Sequence, residues 1–104
     1  MKEISIYGAN RFESFSKTRE GSRAIVLQKG KILLSHERNT DIWMIPGGGR
    51  EAGETPEACC VREAEEETGL IVRTARQLMT LYEYYEESRY ISYYYLCEAL
   101  GQGT

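Results

Sequence analysis

Residues 48–70 read GGREAGETPEACCVREAEEETGL, and this stretch decides what kind of molecule the chain is. Thr55 is suited to cap a helix at its N-terminus, with Pro56 at the first helical position, where its missing N–H leaves no hydrogen bond unmade. Gly69 stands where a left-handed C-terminal cap is expected, so the spacing predicts a helix from about Pro56 to Thr68. Glu63, Glu66 and Glu67 fall at i, i+3 and i+4 and share one face of that helix. Three ionised carboxylates so close repel one another and weaken an isolated helix. A divalent cation would remove the conflict, and hard oxygen donors in a small cluster suit Mg²⁺ or Mn²⁺. Glu65 points away from this face and is expected to be solvated. From Glu51 to Glu67 seven acids face one base, Arg62, a local charge of −6; the whole chain carries −3, so the remainder carries +3. A polyanionic substrate would be repelled by this segment unless metal bridged the two.

The same stretch fits the pattern G-x5-E-x7-R-E-U-x-E-E-x-G-U, with U aliphatic, through Gly48, Glu54, Arg62, Glu63, Ala64, Glu66, Glu67, Gly69 and Leu70. From the chain's own residue frequencies, a chance match is expected roughly once in tens of thousands. The pattern resembles the Nudix box, the signature of the Nudix (MutT-like) hydrolases. Ala64 is smaller than the aliphatic residue usual at its position. The resemblance implies a Mg²⁺- or Mn²⁺-dependent hydrolase that cleaves a phosphoanhydride (P–O–P) bond in a nucleoside diphosphate-linked substrate, by attack of metal-activated water on phosphorus. It implies Glu63, Glu66 and Glu67 as metal-binding carboxylates and the Gly47 carbonyl as a further metal ligand. Glu54 and Arg62 correspond to positions that hold the metal-binding loop and helix together, so the implied catalytic set is Glu54, Arg62, Glu63, Glu66 and Glu67. Glu66 or Glu67 is the implied base for the attacking water. In some members the base lies beyond the box, which keeps Glu83, Glu86, Glu87 and Glu98 as candidates. The alternative is a non-catalytic Nudix-fold sensor of a nucleotide ligand. Loss of box glutamates would favour it, and all are present. An acidic Ca²⁺-binding domain lacks its EF-hand spacing.

Outward from the box, Ile4-Ser5-Ile6 predicts a short first strand, and Gly8 to Gly21 is polar and aperiodic, which predicts a loop. Arg23 to Gln28 and Lys31 to Ser35 flank Lys29-Gly30 as a β-hairpin. A loop from His36 to Asp41 leads into a strand at Ile42-Trp43-Met44-Ile45, halted by Pro46. Gly47-Gly48-Gly49 then allows positive φ angles and close backbone approach. Gln77 to Tyr85 and Arg89 to Ala99 predict a second strand pair, turning at Glu86-Glu87-Ser88. This order of hairpin, W-x-x-P-G-G strand end, box helix and hairpin is similar to the family's. It implies an α+β chain with the Nudix fold, an α/β/α sandwich around a mixed β-sheet. Residues 1–104 are expected to form one such domain. Family members generally continue past the second hairpin through another strand and a helix, whereas this sequence stops at Gly101-Gln102-Gly103-Thr104. Either a domain shortened at its C-terminus or terminal elements supplied differently, for instance by a homodimer partner, is therefore expected.

Composition narrows the partners. Cys59, Cys60 and Cys97 have neither CxxC spacing nor a nearby histidine, so packing thiols are expected rather than a zinc site. No long apolar run and no signal pattern follow Met1, so a cytoplasmic chain without a membrane partner is expected. Mild acidity with no basic stripe argues against nonspecific nucleic-acid binding. The family resemblance implies a nucleotide or other diphosphate-containing small molecule as the partner. Seven of the eight tyrosines lie between Tyr82 and Tyr95, where cross-strand packing accounts for most of them. Alternation puts Tyr93 and Tyr95 on one face and Tyr90 and Tyr94 on the other, so at most one set meets a ligand. Trp43 is read as a core anchor ahead of a stacking partner, His36 as solvated in its loop, and Arg38 as a loop arginine that has the geometry for a phosphate but is usually solvated at such a position.

Overall fold

The computed structural model describes residues 2–7, 17–85 and 87–103. In chain order the elements are β1 (Lys2–Tyr7), β2 (Lys17–Gln28), β3 (Lys31–Ile32), β4 (Ser35–His36), β5 (Trp43–Met44), β6 (Gly47–Gly49), α1 (Pro56–Thr68), β7 (Leu70–Tyr85) and β8 (Ser88–Gln102). The long strands β7 and β8 pair antiparallel and form the spine. Each then takes a parallel neighbour, β1 beside β7 and β2 beside β8, so the sheet is mixed as expected. β3 and β6 pair antiparallel with β2, while β4 and β5 form a separate two-stranded hairpin.

The helix has the expected ends. Thr55 Oγ1 accepts from the Ala58 N–H at 3.1 Å, and Gly69 (φ 77°) donates its N–H to the Glu65 carbonyl at 2.8 Å. One face of α1 packs on β2 and β7. Cys60 and Ala64 are buried there against Ala24, Val26, Val72, Tyr95 and Cys97. Small side chains at 60, 64 and 24 let helix and sheet approach closely, which is where the short Ala64 finds its use. All three cysteines are free and buried, with Cys60 and Cys97 sulfurs 3.6 Å apart, as packing thiols should be. The hydrogen bond with Cys97, and after it burial, push the Cys60 thiol well above its ordinary value, so it packs as a neutral group.

Several expected boundaries move. Residues 17–21, read as loop, are the start of β2, because parallel pairing with Ser88 to Ser92 supplies hydrogen bonds that their polar composition does not advertise. Residues 8–16, the rest of that expected loop, lie outside the described residues. Gly47-Gly48-Gly49 do not adopt positive φ; they are extended, pairing with Arg23, Ser22 and Gly21. Positive φ falls instead at Lys29 (53°) and Gly30 (76°), the two central residues of a tight hairpin turn whose twist suits β2 and β3. The run 31–35 divides between β3 and β4, and the strand expected at 42–45 is limited to Trp43–Met44, paired with His36 and Ser35. β7 begins at Leu70 rather than Gln77, with irregularities at 74/76 and 77/79 that absorb its extra residues. Glu86, in the expected turn, is outside the described residues. Among the described residues α1 is the one helix, so a single helical layer is seen on the sheet. No helix there is long and apolar enough to cross a membrane.

Candidate active site

The box helix meets the glycine strand β6 at a separation that side chains on the strand would forbid. A Cβ on Gly48 would lie 2.5 Å from Glu63 Oε2, so the Glu63 carboxylate rests directly on bare backbone. A Cβ on Gly47 would lie 2.1 Å from the Ser22 carbonyl oxygen. The Gly47 N–H points at Glu67, donating to Oε2 at 3.4 Å. The glycines are required here by close approach, not by turn geometry.

Arg62 ties three segments together. Its Nε and Nη2 donate to the two oxygens of Glu54 at 2.7 and 3.1 Å, a bidentate pair, and Nη2 also reaches the Gly49 carbonyl at 2.9 Å. Nη1 donates to Glu63 Oε1 at 2.9 Å and to both Glu66 oxygens at 3.2 Å. The loop before the helix, the glycine strand and the acidic face therefore share one guanidinium. Glu54 is held further by the Glu51 N–H at 3.0 Å. The Arg62 hydrogen bonds, and after them that N–H, pull the Glu54 carboxyl from its ordinary 4.5 down to about 2. Glu54 first, then Glu66 and Glu63, push Arg62 the other way.

The repulsion expected among Glu63, Glu66 and Glu67 is thus relieved within the protein. Arg62 holds the first two, while Glu67 accepts from Ser35 Oγ at 3.1 Å and from Gly47. Among the described residues no three His, Cys, Asp or Glu side chains converge as a ready coordination cluster.

Other expected residues fall elsewhere. Glu65 is half-buried rather than solvated, since a Cβ on Gly103 would meet its carboxylate at 2.6 Å. Glu98 pairs with Arg73 across β7 and β8, and Glu83 sits beside Ile6 on the far part of the sheet. Glu87 is exposed at the β7–β8 turn, and Glu86 is not described. Arg38 is exposed in the turn between β4 and β5. The tyrosines alternate as expected: Tyr95 is buried under α1 and donates to Glu57 Oε1 at 2.9 Å, while Tyr90 on the other face is exposed. Trp43 is a correction. It is 61% exposed, not a core anchor, and it stacks on His36, which lies in β4 rather than in a loop. The sequence reading also missed Ser35, whose contact with Glu67 spans 32 positions and leaves no local signal.

Comparisons with known proteins point to one family. An RNA pyrophosphohydrolase of Zymomonas mobilis is 42% identical over 55 residues, covering 50% of this chain and 36% of that protein. Human diphosphoinositol polyphosphate phosphohydrolase 3-alpha is 35% identical over 65 residues, covering 62% of this chain and 39% of that protein. A UDP-X diphosphatase crystal structure superposes with a TM-score of 0.75 at 27% identity, covering 88% of this chain and 47% of that one. The chain thus matches less than half the length of each of these three. The NUDIX domain description matches residues 17–104. That match takes in β2 to β8 as well as the helix, and the chain belongs to the Nudix domain family.

Proposed function

We propose that this chain hydrolyses a phosphoanhydride bond in a nucleoside diphosphate-linked substrate, with Glu63, Glu66, Glu67 and the Gly47 carbonyl as the ligands of Mg²⁺ or Mn²⁺. The observation that carries the reading is the contact of Glu63 with the bare Gly48 backbone, beside the bidentate Glu54–Arg62 pair. The donor set fits such an ion in kind, being hard carboxylate and carbonyl oxygens on a helix face and a strand kept free of side chains. When bound, the ion would polarise the bridging phosphates and lower the pKa of a coordinated water. The protein's own part is orientation. Glu54, kept ionised by Arg62, fixes the guanidinium, and the guanidinium fixes the rotamers of Glu63 and Glu66. Glu67, steadied by Ser35 and Gly47, is the residue of this set outside the grip of Arg62, which makes it our choice for the base.

Incubation with nucleoside triphosphates, ADP-ribose, nucleotide sugars and dinucleoside polyphosphates in Mg²⁺ should yield a nucleoside monophosphate and a second phosphorylated product by mass spectrometry. ¹⁸O from labelled water should appear on phosphorus. Glu63→Gln, Glu66→Gln and Glu67→Gln should each lower turnover by about a hundredfold or more, in keeping with several kcal/mol of lost charge stabilisation. Glu65→Gln should be nearly silent. Equal losses at all four positions would defeat the assignment, and tight binding of one nucleotide without product would replace it with a sensor.

A further inference from the structure

The three cysteines take no part in the proposed chemistry, and two of them face each other across the boundary between helix and sheet. Cys60 lies on α1 and Cys97 on β8, 37 positions apart, and both thiols are free and buried. Their sulfurs are hydrogen-bonded at 3.6 Å. Cys97 also donates to the Tyr95 carbonyl at 3.6 Å, so its proton has an acceptor while its sulfur stays turned to Cys60. Ala24 and Ala64 belong to the same buried cluster, and side chains this short bring the helix near enough to the sheet for the sulfurs to meet. Cys59 is not a competitor. It adjoins Cys60 in sequence, but its thiol donates to the Gly48 carbonyl at 3.5 Å.

A disulfide holds its sulfurs about 2 Å apart, so this pair has to close by roughly 1.5 Å. We propose that Cys60 and Cys97 form a reversible disulfide that clamps the box helix onto β8 and switches the acidic face off. The oxidant is a peroxide, close to water in size, which suits a pair buried in a packed core. The Cys97 sulfur attacks one peroxide oxygen, the O–O bond breaks and water leaves, giving a sulfenic acid. The Cys60 sulfur then attacks the sulfenic sulfur; the S–O bond breaks, the S–S bond forms and a second water leaves. Each water carries away one thiol proton, and the two electrons given up by the thiol pair reduce the peroxide. The hydrogen bond from Cys60 outweighs burial and holds the Cys97 thiol below its ordinary value, which suits Cys97 to attack first. A dithiol reverses the link by exchange.

The effect on the acidic face rests on the reading of the box as the hydrolytic site. Glu63 lies on the same helix as Cys60 and already rests on the Gly48 backbone, with no room between them. Gly48 is joined to β8 through β2 by strand pairing. Drawing the helix toward β8 therefore presses Glu63 against a strand that cannot recede, and the carboxylate loses its place.

The test treats the full chain with hydrogen peroxide, then unfolds it and alkylates the thiols that remain. Cys59 alone should take the label, and fragmentation of the linked peptide should join Cys60 to Cys97. The link should persist in Cys59→Ala, be absent in Cys60→Ala and Cys97→Ser, and open again in dithiothreitol. On whichever diphosphate is turned over, oxidation should lower kcat by about ten- to a hundredfold, the scale of a catalytic group misplaced by an ångström. Dithiothreitol should restore it, and Cys97→Ser should resist the loss. Each substitution removes a core thiol, so mapping of the unaltered chain decides even if the variants unfold. Thiols lost without a link, a link through Cys59, or three thiols left intact overturns the disulfide. A Cys60–Cys97 link with unchanged kcat overturns the switch and leaves the hydrolase reading standing. If the reduced chain turns over no diphosphate, the hydrolase reading fails and melting decides the clamp. A linked chain that melts above the reduced one upholds it, and one that does not removes it.

Discussion

Gly47 and Gly48 are adjacent and chemically identical, yet they guard different things. A Cβ on Gly47 would press on the Ser22 backbone, which is fixed in the sheet, at 2.1 Å. A Cβ on Gly48 would press on the end of the Glu63 side chain, which can rotate. Gly47→Ala should therefore destabilise the fold by about 1–3 kcal/mol, in the range of an overpacked core position, and lower the melting temperature. Gly48→Ala should melt near the unaltered protein but lose activity, because Glu63 leaves its place. The reverse pattern in melting and turnover assays would contradict this geometry. Glu54 supplies a second test. Its folded carboxyl titrates near 2 and its ordinary value is 4.5, so the unfolded chain binds the proton first. The stabilisation from its pairing with Arg62 is complete above about pH 4.5 and is lost as pH falls toward 2. The difference in melting temperature between the unaltered chain and Glu54→Gln should be flat from neutrality to pH 4.5 and close by pH 2.

At the scale of the element, α1 was legible because its signals are local. Thr55, Pro56 and Gly69 act within four residues of themselves, and the helix runs over Pro56–Thr68 as they indicate. Thr55→Ala removes the hydroxyl that accepts from Ala58 and should cost about 1 kcal/mol, read as a lower urea midpoint with an unchanged slope. The hairpin turn at Lys29-Gly30 was legible for the same reason. Strand ends were not. Residues 17–21 and 70–76 are strand because they lie beside β8, and their own composition does not show this. β6 is the extreme case, three glycines made a strand by pairing with β2. No propensity favours that outcome.

At the scale of the molecule, among the described residues the one helix covers one side of the sheet and apolar residues remain on the other. By pairing and alternation that side carries Ile25, Met79, Leu81, Tyr94 and Leu96, with Leu27 57% exposed. Contiguous apolar surface of this kind drives association, so this polypeptide should form a homodimer or larger species as its concentration rises. A single monomeric boundary in sedimentation velocity across the micromolar range would count against it. The sequence alone determined the helix, its caps and the acidic face, because their signals lie within a short span, while the tie of Glu54 to Arg62 was implied by the family resemblance and is seen in the structure. Tertiary structure alone decided how the acids are held. It placed Arg62 between Glu63 and Glu66, put Ser35 on Glu67, and left Trp43 in solvent against His36. These contacts join segments far apart in the chain or depend on which side chain wins a shared partner, and spacing along a sequence carries neither.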